Sequence, residues 1–181
     1  MSLFNNKYRV ETARLKHWNY ANTGMYFITV CSTDKIYHFG KIIDENVVLN
    51  KLGKFAKQCW KEIPQHFPFV KLDEFIIMPN HIHGIIGIDK PDDVINNNDV
   101  ETLHATSLQM SNISPQFGSL SSIIRSFKSA VTKYANKNDI PFKWQTRYHD
   151  RVIRDENELF NIQRYIIENP LKWELDKYYL N

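Results

Sequence analysis

The spacing of apolar positions divides the chain into strands and helices. Met25 to Ser32 (MYFITVCS) has the aromatic and β-branched composition of a strand. Lys35 to Ile43 and Asn46 to Asn50 predict a hairpin around Asp44-Glu45. Leu52, Phe55, Ala56, Cys59, Trp60 and Ile63 recur at helical spacing, and Pro64 and Pro68 close that helix. Val70 to Met78 predicts a second strong strand, Pro79-Asn80 a short turn, and His81 to Ile88 the hairpin partner. From Gly118 to Asn136, Leu120, Ile123, Ile124, Phe127, Val131 and Tyr134 form a helical stripe. Trp144 to Ile153 predicts a strand or extended segment. Asp155-Glu156-Asn157-Glu158 reads as a capping box, with Asp155 as N-cap and Glu158 reaching back. The helix it opens runs through Leu159, Ile162, Tyr165 and Ile166 and ends at Asn169-Pro170, because the residue before proline is pushed out of helical geometry.

With the first hairpin set aside as an insertion, this is the split β-α-β, ferredoxin-like order with an extra terminal helix. The expectation is an α+β fold, an antiparallel sheet covered by helices. The 181 residues, 43% of them hydrophobic, suit one domain spanning residues 1–181. Residues 89–116 break the periodicity. They are polar, rich in Asn and Asp, and read as a flexible insertion that makes no claim on His104. Net charge is only +3, but residues 1–20 and 121–181 each balance at +3 around a middle at −3. Basic ends suit an anionic partner, and equally an ordinary solvated surface. Cys31 and Cys59 are too few for a disulfide framework or a zinc cage and read as reduced core thiols. With no signal peptide and no apolar run long enough for a membrane, a cytoplasmic protein is expected.

His81-Ile82-His83 carries the most chemistry. On a strand, residues two apart share a face, so both imidazoles project together about 7 Å apart at the backbone, and Ile82 points into a core. The plain structural alternative is a hairpin strand with two half-exposed polar side chains. Two ligands hold a metal poorly, so a third must come from elsewhere. Tyr165 and Asn169, four apart on the last helix, share a face. Asn169 offers an amide oxygen for a hard cation, and Tyr165 a phenol able to form a covalent intermediate. Read without other context, Tyr165 is better taken as an amphipathic cap on the core beside Ile162, since the sequence holds nine tyrosines.

The segments YFITVCS, LGKFAKQCWKEIPQHFP, LDEFIIMPNHIHGIIGI, GSLSSIIRSFKSAVTKY, WQTRYHDRVIRDENEL and RYIIENP occur in that order across roughly residues 10–175. In these pieces the chain resembles the single-tyrosine HUH transposases, specifically the REP-associated tyrosine transposases of the IS200-like family. MPNHIHG with the downstream YIIENP is the specific combination. The resemblance implies that His81 and His83 bind a divalent metal, Mg²⁺ or Mn²⁺, and that Tyr165 is the nucleophile. It implies that Asn169 supplies a third ligand, at a position commonly Gln in the insertion-sequence branch. It implies DNA contacts from Arg125 and Lys128, with Arg147 and Arg154 as further DNA-binding candidates. The expected partner is single-stranded DNA beside a hairpin, in a nucleoid-associated protein; monomer and homodimer both stay open.

The implied reaction conserves bond energy in a 5′-phosphotyrosine link, consistent with the lack of a phosphate-binding Gly-rich loop. Arg14 and Lys16, with Arg9, His17, Trp18 and Tyr20, mix cations and aromatics in the manner of single-strand contacts, or form an untidy N-terminal arm. Tyr148, between Arg147 and His149, is the rival nucleophile. His38, His66 and His149 read as surface or structural groups. Two other functions compete: a non-catalytic DNA- or RNA-binding module on the same fold, and a small metal-dependent hydrolase.

Overall fold

The computed structural model describes residues 3–4, 7–8, 22–90 and 117–179. Leu3–Phe4 (β1) and Lys7–Tyr8 (β2) pair as a short antiparallel ladder. The body of the protein is a sheet made from Gly24–Cys31 (β3), Val70–Ile77 (β6), His81–Ile88 (β7) and His149–Ile153 (β8). These four strands lie in the order β6-β7-β3-β8, each antiparallel to its neighbours. Strands first and third in this set are central, and the second and fourth are edges, which is the split β-α-β arrangement the periodicity predicts. Gly40–Ile43 (β4) and Asn46–Leu49 (β5) form a separate hairpin. Its turn, Asp44-Glu45, has φ of 48° and 61°, the left-handed conformations of a two-residue hairpin loop.

Helices cover both faces, and strand alternation decides what each covers. One face presents Tyr26, Ile28 and Val30 of β3 with Ile82 and Ile86 of β7. It is packed by Lys51–Lys61 (α1), Ile63–His66 (α2) and Leu120–Lys137 (α3) through Leu52, Ala56, Trp60, Ile63, Ile123, Ile124 and Phe127. Gly84 is needed here, since a Cβ would overlap the Trp60 indole. The other face presents Phe27, Ile85 and the two histidines. It is packed by Glu156–Glu168 (α4) through Leu159, Ile162 and Ile166. Asp155 caps α4, accepting from Glu158 N at 2.8 Å, while the Glu158 carboxylate accepts from Arg154 N at 2.9 Å. The capping box therefore closes one residue further upstream than its usual form. A 3₁₀ segment, Pro170–Leu175, follows α4 and returns the chain toward β7.

Two boundaries differ from the sequence reading. Thr33–Lys35 is a 3₁₀ turn and not the start of the hairpin, with Asp34 and Lys35 at positive φ. Trp144 is not part of β8. It makes one isolated antiparallel bridge to Ser32, with Thr33 N donating to Lys143 O and Gln145 N to Cys31 O, each at 2.9 Å, and its buried indole Nε1 donates to Lys128 O at 3.1 Å. Of the expected insertion at 89–116, only Asp89 and Lys90 are among the described residues; 91–116 lie outside them. Arg9, Arg14, Lys16, His17, Trp18 and Tyr20 also lie outside. No helix among the described residues is long and apolar enough to cross a membrane.

Candidate active site

β7 places His81 and His83 on the α4 face, and the register sets their cross-strand neighbours as Cys31 and Thr29 of β3. The histidines are not half-exposed. Their exposures are 0% and 1%, with ring centroids 4.5 Å apart. Each Nδ1 has a partner. His83 Nδ1 lies 2.9 Å from Thr29 Oγ1, and His81 Nδ1 lies 2.8 Å from Asn80 Oδ1. Such partners orient a histidine and leave Nε2 as the ligating atom. Phe27 stacks on His83 at 5.3 Å between centroids, further fixing the ring.

α4 then brings Tyr165 to the pair. The capped first turn and the apolar contacts of Ile162 and Ile166 with Ile85 set the helix rotation. Gln163 Nε2 donates to Asp73 Oδ1 at 2.8 Å, on an irregular stretch of β6 between Leu72 and Phe75. Tyr165 Oη lies 3.2 Å from His83 Nε2 within one chain, and the tyrosine stays 41% exposed. The phenol thus touches the metal-capable atoms on one side and solvent on the other.

The chain beyond α4 completes the enclosure. Asn169 is buried, its Nδ2 donating to Asp176 Oδ2 at 3.2 Å. Ligand atoms of His81, His83 and Asp176 all lie within 4.8 Å of one another. Tyr178 lies 4.5 Å from His81 between ring centroids, and Trp173 lies 6.0 Å away. His81 Nε2 and Asn169 Oδ1 are buried, and neither has a hydrogen-bond partner among the described residues. A buried acceptor left unpaired costs about 1–3 kcal/mol. Two imidazole nitrogens and a carboxylate within 4.8 Å of one another, with the Asn169 amide bonded to that carboxylate, form a donor set suited to a divalent cation.

The electrostatics agree with that reading. Burial, then the neighbouring His83 and Lys177, hold His81 well below the usual imidazole range. Burial, with Lys177, pushes His83 down to about 3. Both rings are therefore neutral, the form that binds metal. Burial and the Asp176 carboxylate push the Tyr165 phenol up, partly offset by a hydrogen bond from Asn169. Positive charge placed beside Asp176 would reverse the second of those effects.

No family model matches the chain. It is 46% identical over 172 residues to an uncharacterized protein of Haemophilus influenzae, covering 94% of this chain and 93% of that one. A candidate REP-associated tyrosine transposase of the same organism is 24% identical over 155 residues, 85% of this chain and 74% of its own length. The solved structure of a REP-associated tyrosine transposase bound to a REP hairpin superposes with a TM-score of 0.59 at 17% identity, covering 93% of this chain and 77% of that one. That likeness carries the fold. The chain is thus similar in sequence to a candidate REP-associated tyrosine transposase and shares its fold with a solved one.

Within this fold, the sequence-derived residues divide by layer. His81, His83, Asn169 and Tyr165 converge. Arg125 is exposed on α3, in the layer packed on the other side of the sheet. Lys128, also on α3, is partly buried, and its ammonium donates to Gln145 O at 2.6 Å. Arg147 and Arg154 are exposed on either side of β8, and Arg154 lines an open groove with Arg151, Asp155, Glu158, Asn161 and Ile162. Tyr148 packs with the core of the α1/α3 layer, its Oη 3.1 Å from Ser121 Oγ, away from the histidines. Asp176 and Asn80 were missed as site residues. Asp176 stands in no fixed spacing to the histidines, so only the path of the chain after Pro170 reveals it. Asn80 was legible as a turn residue, but its amide contacts were not.

Proposed function

We propose that this chain is a metal-dependent single-strand DNA endonuclease and strand-transferase that works through Tyr165. The observation that supports it most is the 3.2 Å approach of Tyr165 Oη to His83 Nε2 beside His81, Asp176 and Asn169. Tyr165 Oη attacks the phosphorus of a phosphodiester. The bond from phosphorus to the 3′-oxygen breaks, and the leaving oxygen ends as a 3′-hydroxyl, carrying in net terms the proton the phenol gave up. The DNA 5′-phosphate is left esterified to Tyr165. Rejoining is the reverse displacement by a 3′-hydroxyl, so no nucleotide cofactor is required.

His81, His83 and Asp176, with Asn169, would hold Mg²⁺ or Mn²⁺, which when bound supplies positive charge to polarise the phosphate and to favour the phenolate. Mn²⁺ suits the two nitrogens better than Mg²⁺. With His83 protonated on Nδ1, Tyr165 Oη donates to Nε2, the same lone pair a cation would take, so the two would be alternatives. The exposed side of the phenol is where a strand can approach. Thr29 and Asn80 orient the histidines, and Phe27, Trp173 and Tyr178 keep water away from them. Arg147 and Arg154 are placed to meet the flanking backbone, and Arg125 to meet DNA that wraps to the other layer. Arg14 and Lys16 are further candidate contacts. The geometry supports cleavage in cis, by a monomer or by each member of a homodimer.

Hairpin-bearing single-stranded DNA incubated with the protein and Mn²⁺ is expected to give a nicked product and a DNA-linked protein band. Both are expected to fall by at least about 100-fold when the metal is chelated, the scale of losing a main electrostatic contribution to catalysis. Cleavage undiminished in chelator, or binding without any cleavage, contradicts the proposal; the second result is that of a non-catalytic binding module.

A further inference from the structure

The turn before β7 ends on Asn80, which is buried and fully engaged. Its Nδ2 donates to Lys35 O at 2.8 Å and to Tyr178 O at 2.7 Å. Carbonyl oxygens only accept, so both protons of that nitrogen are spent and the amide cannot be flipped. Asn80 Oδ1 therefore faces His81 Nδ1, 2.8 Å away, and it too can only accept. It follows that His81 carries its proton on Nδ1. The lone pair is left on Nε2, the buried nitrogen with no partner among the described residues. The main chain of Asn80 is held as well, its carbonyl accepting from Ser32 N and Ser32 Oγ, each at 2.9 Å.

The same amide reaches the segment that delivers Asp176. Tyr178 follows Asp176 by two residues, and Tyr178 N donates to Asp176 Oδ1 at 2.7 Å. Lys35 Nζ donates to Lys177 O at 2.8 Å, so the 3₁₀ turn and Asn80 hold this segment together. One side chain thus touches a histidine of the site on one side and the carrier of the site's carboxylate on the other.

We infer that Asn80 is a positioning residue: it fixes His81 in the Nδ1–H tautomer with Nε2 toward the cation site, and couples that orientation to docking of the segment that carries Asp176. The inference rests on the metal-binding reading of the histidine pair. Asn80→Asp keeps an acceptor for His81 Nδ1 but loses both donors to the carbonyls. Asn80→Ala loses all three contacts. Consequently the two variants separate the two roles.

The test uses the full chain without DNA. Mn²⁺ affinity is read by calorimetry, docking by the rate of proteolytic clipping after residue 169, and the tautomer by imidazole ¹⁵N resonances of the metal-free protein. The parent is expected to show His81 protonated on Nδ1. Asn80→Ala should weaken Mn²⁺ binding by about 10–100-fold, the usual cost of losing the partner of a metal-ligating histidine. Asn80→Asp should weaken Mn²⁺ binding less than Asn80→Ala does, because His81 Nδ1 keeps its acceptor, yet be clipped several times faster than the parent. A parent resonance showing Nε2–H on His81 overturns the inference whatever the variants do. So does an Asn80→Ala protein that binds Mn²⁺ like the parent. A parent with the Nδ1–H signature that binds no Mn²⁺ overturns the metal reading, while the orientation of His81 by Asn80 stands.

Discussion

Tyr165→Phe is expected to fold, to bind hairpin-bearing single-stranded DNA, and to form no covalent adduct. The substitution removes one oxygen. That oxygen meets His83 Nε2 at 3.2 Å and the Asn169 amide, on a side chain 41% exposed, so the stability change is about 1 kcal/mol. The chemical effect is large, because no neighbouring nucleophile stands in the same place. Tyr178 is the other phenol near the pair, but it is buried and its hydroxyl is hydrogen-bonded to the Cys31 thiol. Loss of the attacking group costs on the order of a thousand-fold or more in rate. The readout is the DNA-linked band on a denaturing gel, with parent and variant matched for DNA binding. An adduct of parental yield in Tyr165→Phe removes the assignment.

The second large effect is on stability as a function of pH. His81 and His83 are depressed by burial, His83 to about 3, whereas an unfolded histidine titrates near 6.5. Above about pH 6.5 neither state is protonated, and the pair makes no difference. Below it the unfolded chain takes up protons that the native chain refuses, so stability falls as pH drops from 6.5 toward the depressed native values. His83 contributes a slope of about 1.4 kcal/mol per pH unit and so removes roughly 2.7 kcal/mol by about pH 4.5, and His81 acts in the same direction. That is a substantial share of the 5–15 kcal/mol typical of a domain. Urea midpoints measured in chelator between about pH 8 and 4.5 should fall steeply for the parent. The His81→Gln/His83→Gln double variant should follow a flatter curve, and parallel curves would contradict the buried, neutral pair. Bound metal should shift the parent's fall to lower pH, since protons and cation compete for the same nitrogens.

The sequence carried the element order because its signals are local: β-branched runs for β3, β6 and β7, and clean stripes for α1, α3 and α4. The capping box at Asp155 was legible for the same reason, since three residues decide it. The i, i+2 rule likewise placed both histidines on one face. Their depth was not legible. It follows from covering by Trp173 and Tyr178, which arrive only after the chain turns back at Pro170. Nor could spacing distinguish Tyr165 from Tyr148 without the family resemblance. The structure separates them by layer, because α4 packs with Ile85 and the histidines while Tyr148 joins the opposite core. Asp176 had no periodic or motif signal at all. Lys128 shows the converse limit: a cation on a helix stripe reads as free to meet DNA, yet a neighbouring carbonyl occupies it.

The central claim, that the histidine pair and Tyr165 form one DNA-cleaving site within one chain, is tested most directly by mapping the linkage itself. The wild-type protein is trapped with Mn²⁺ on a hairpin-bearing single strand, digested, and the nucleotide-bearing peptide is sequenced by mass spectrometry. The account predicts a single 5′-phosphotyrosine at Tyr165. A linkage at Tyr148 or Tyr178, or cleavage with no linked peptide, would contradict it.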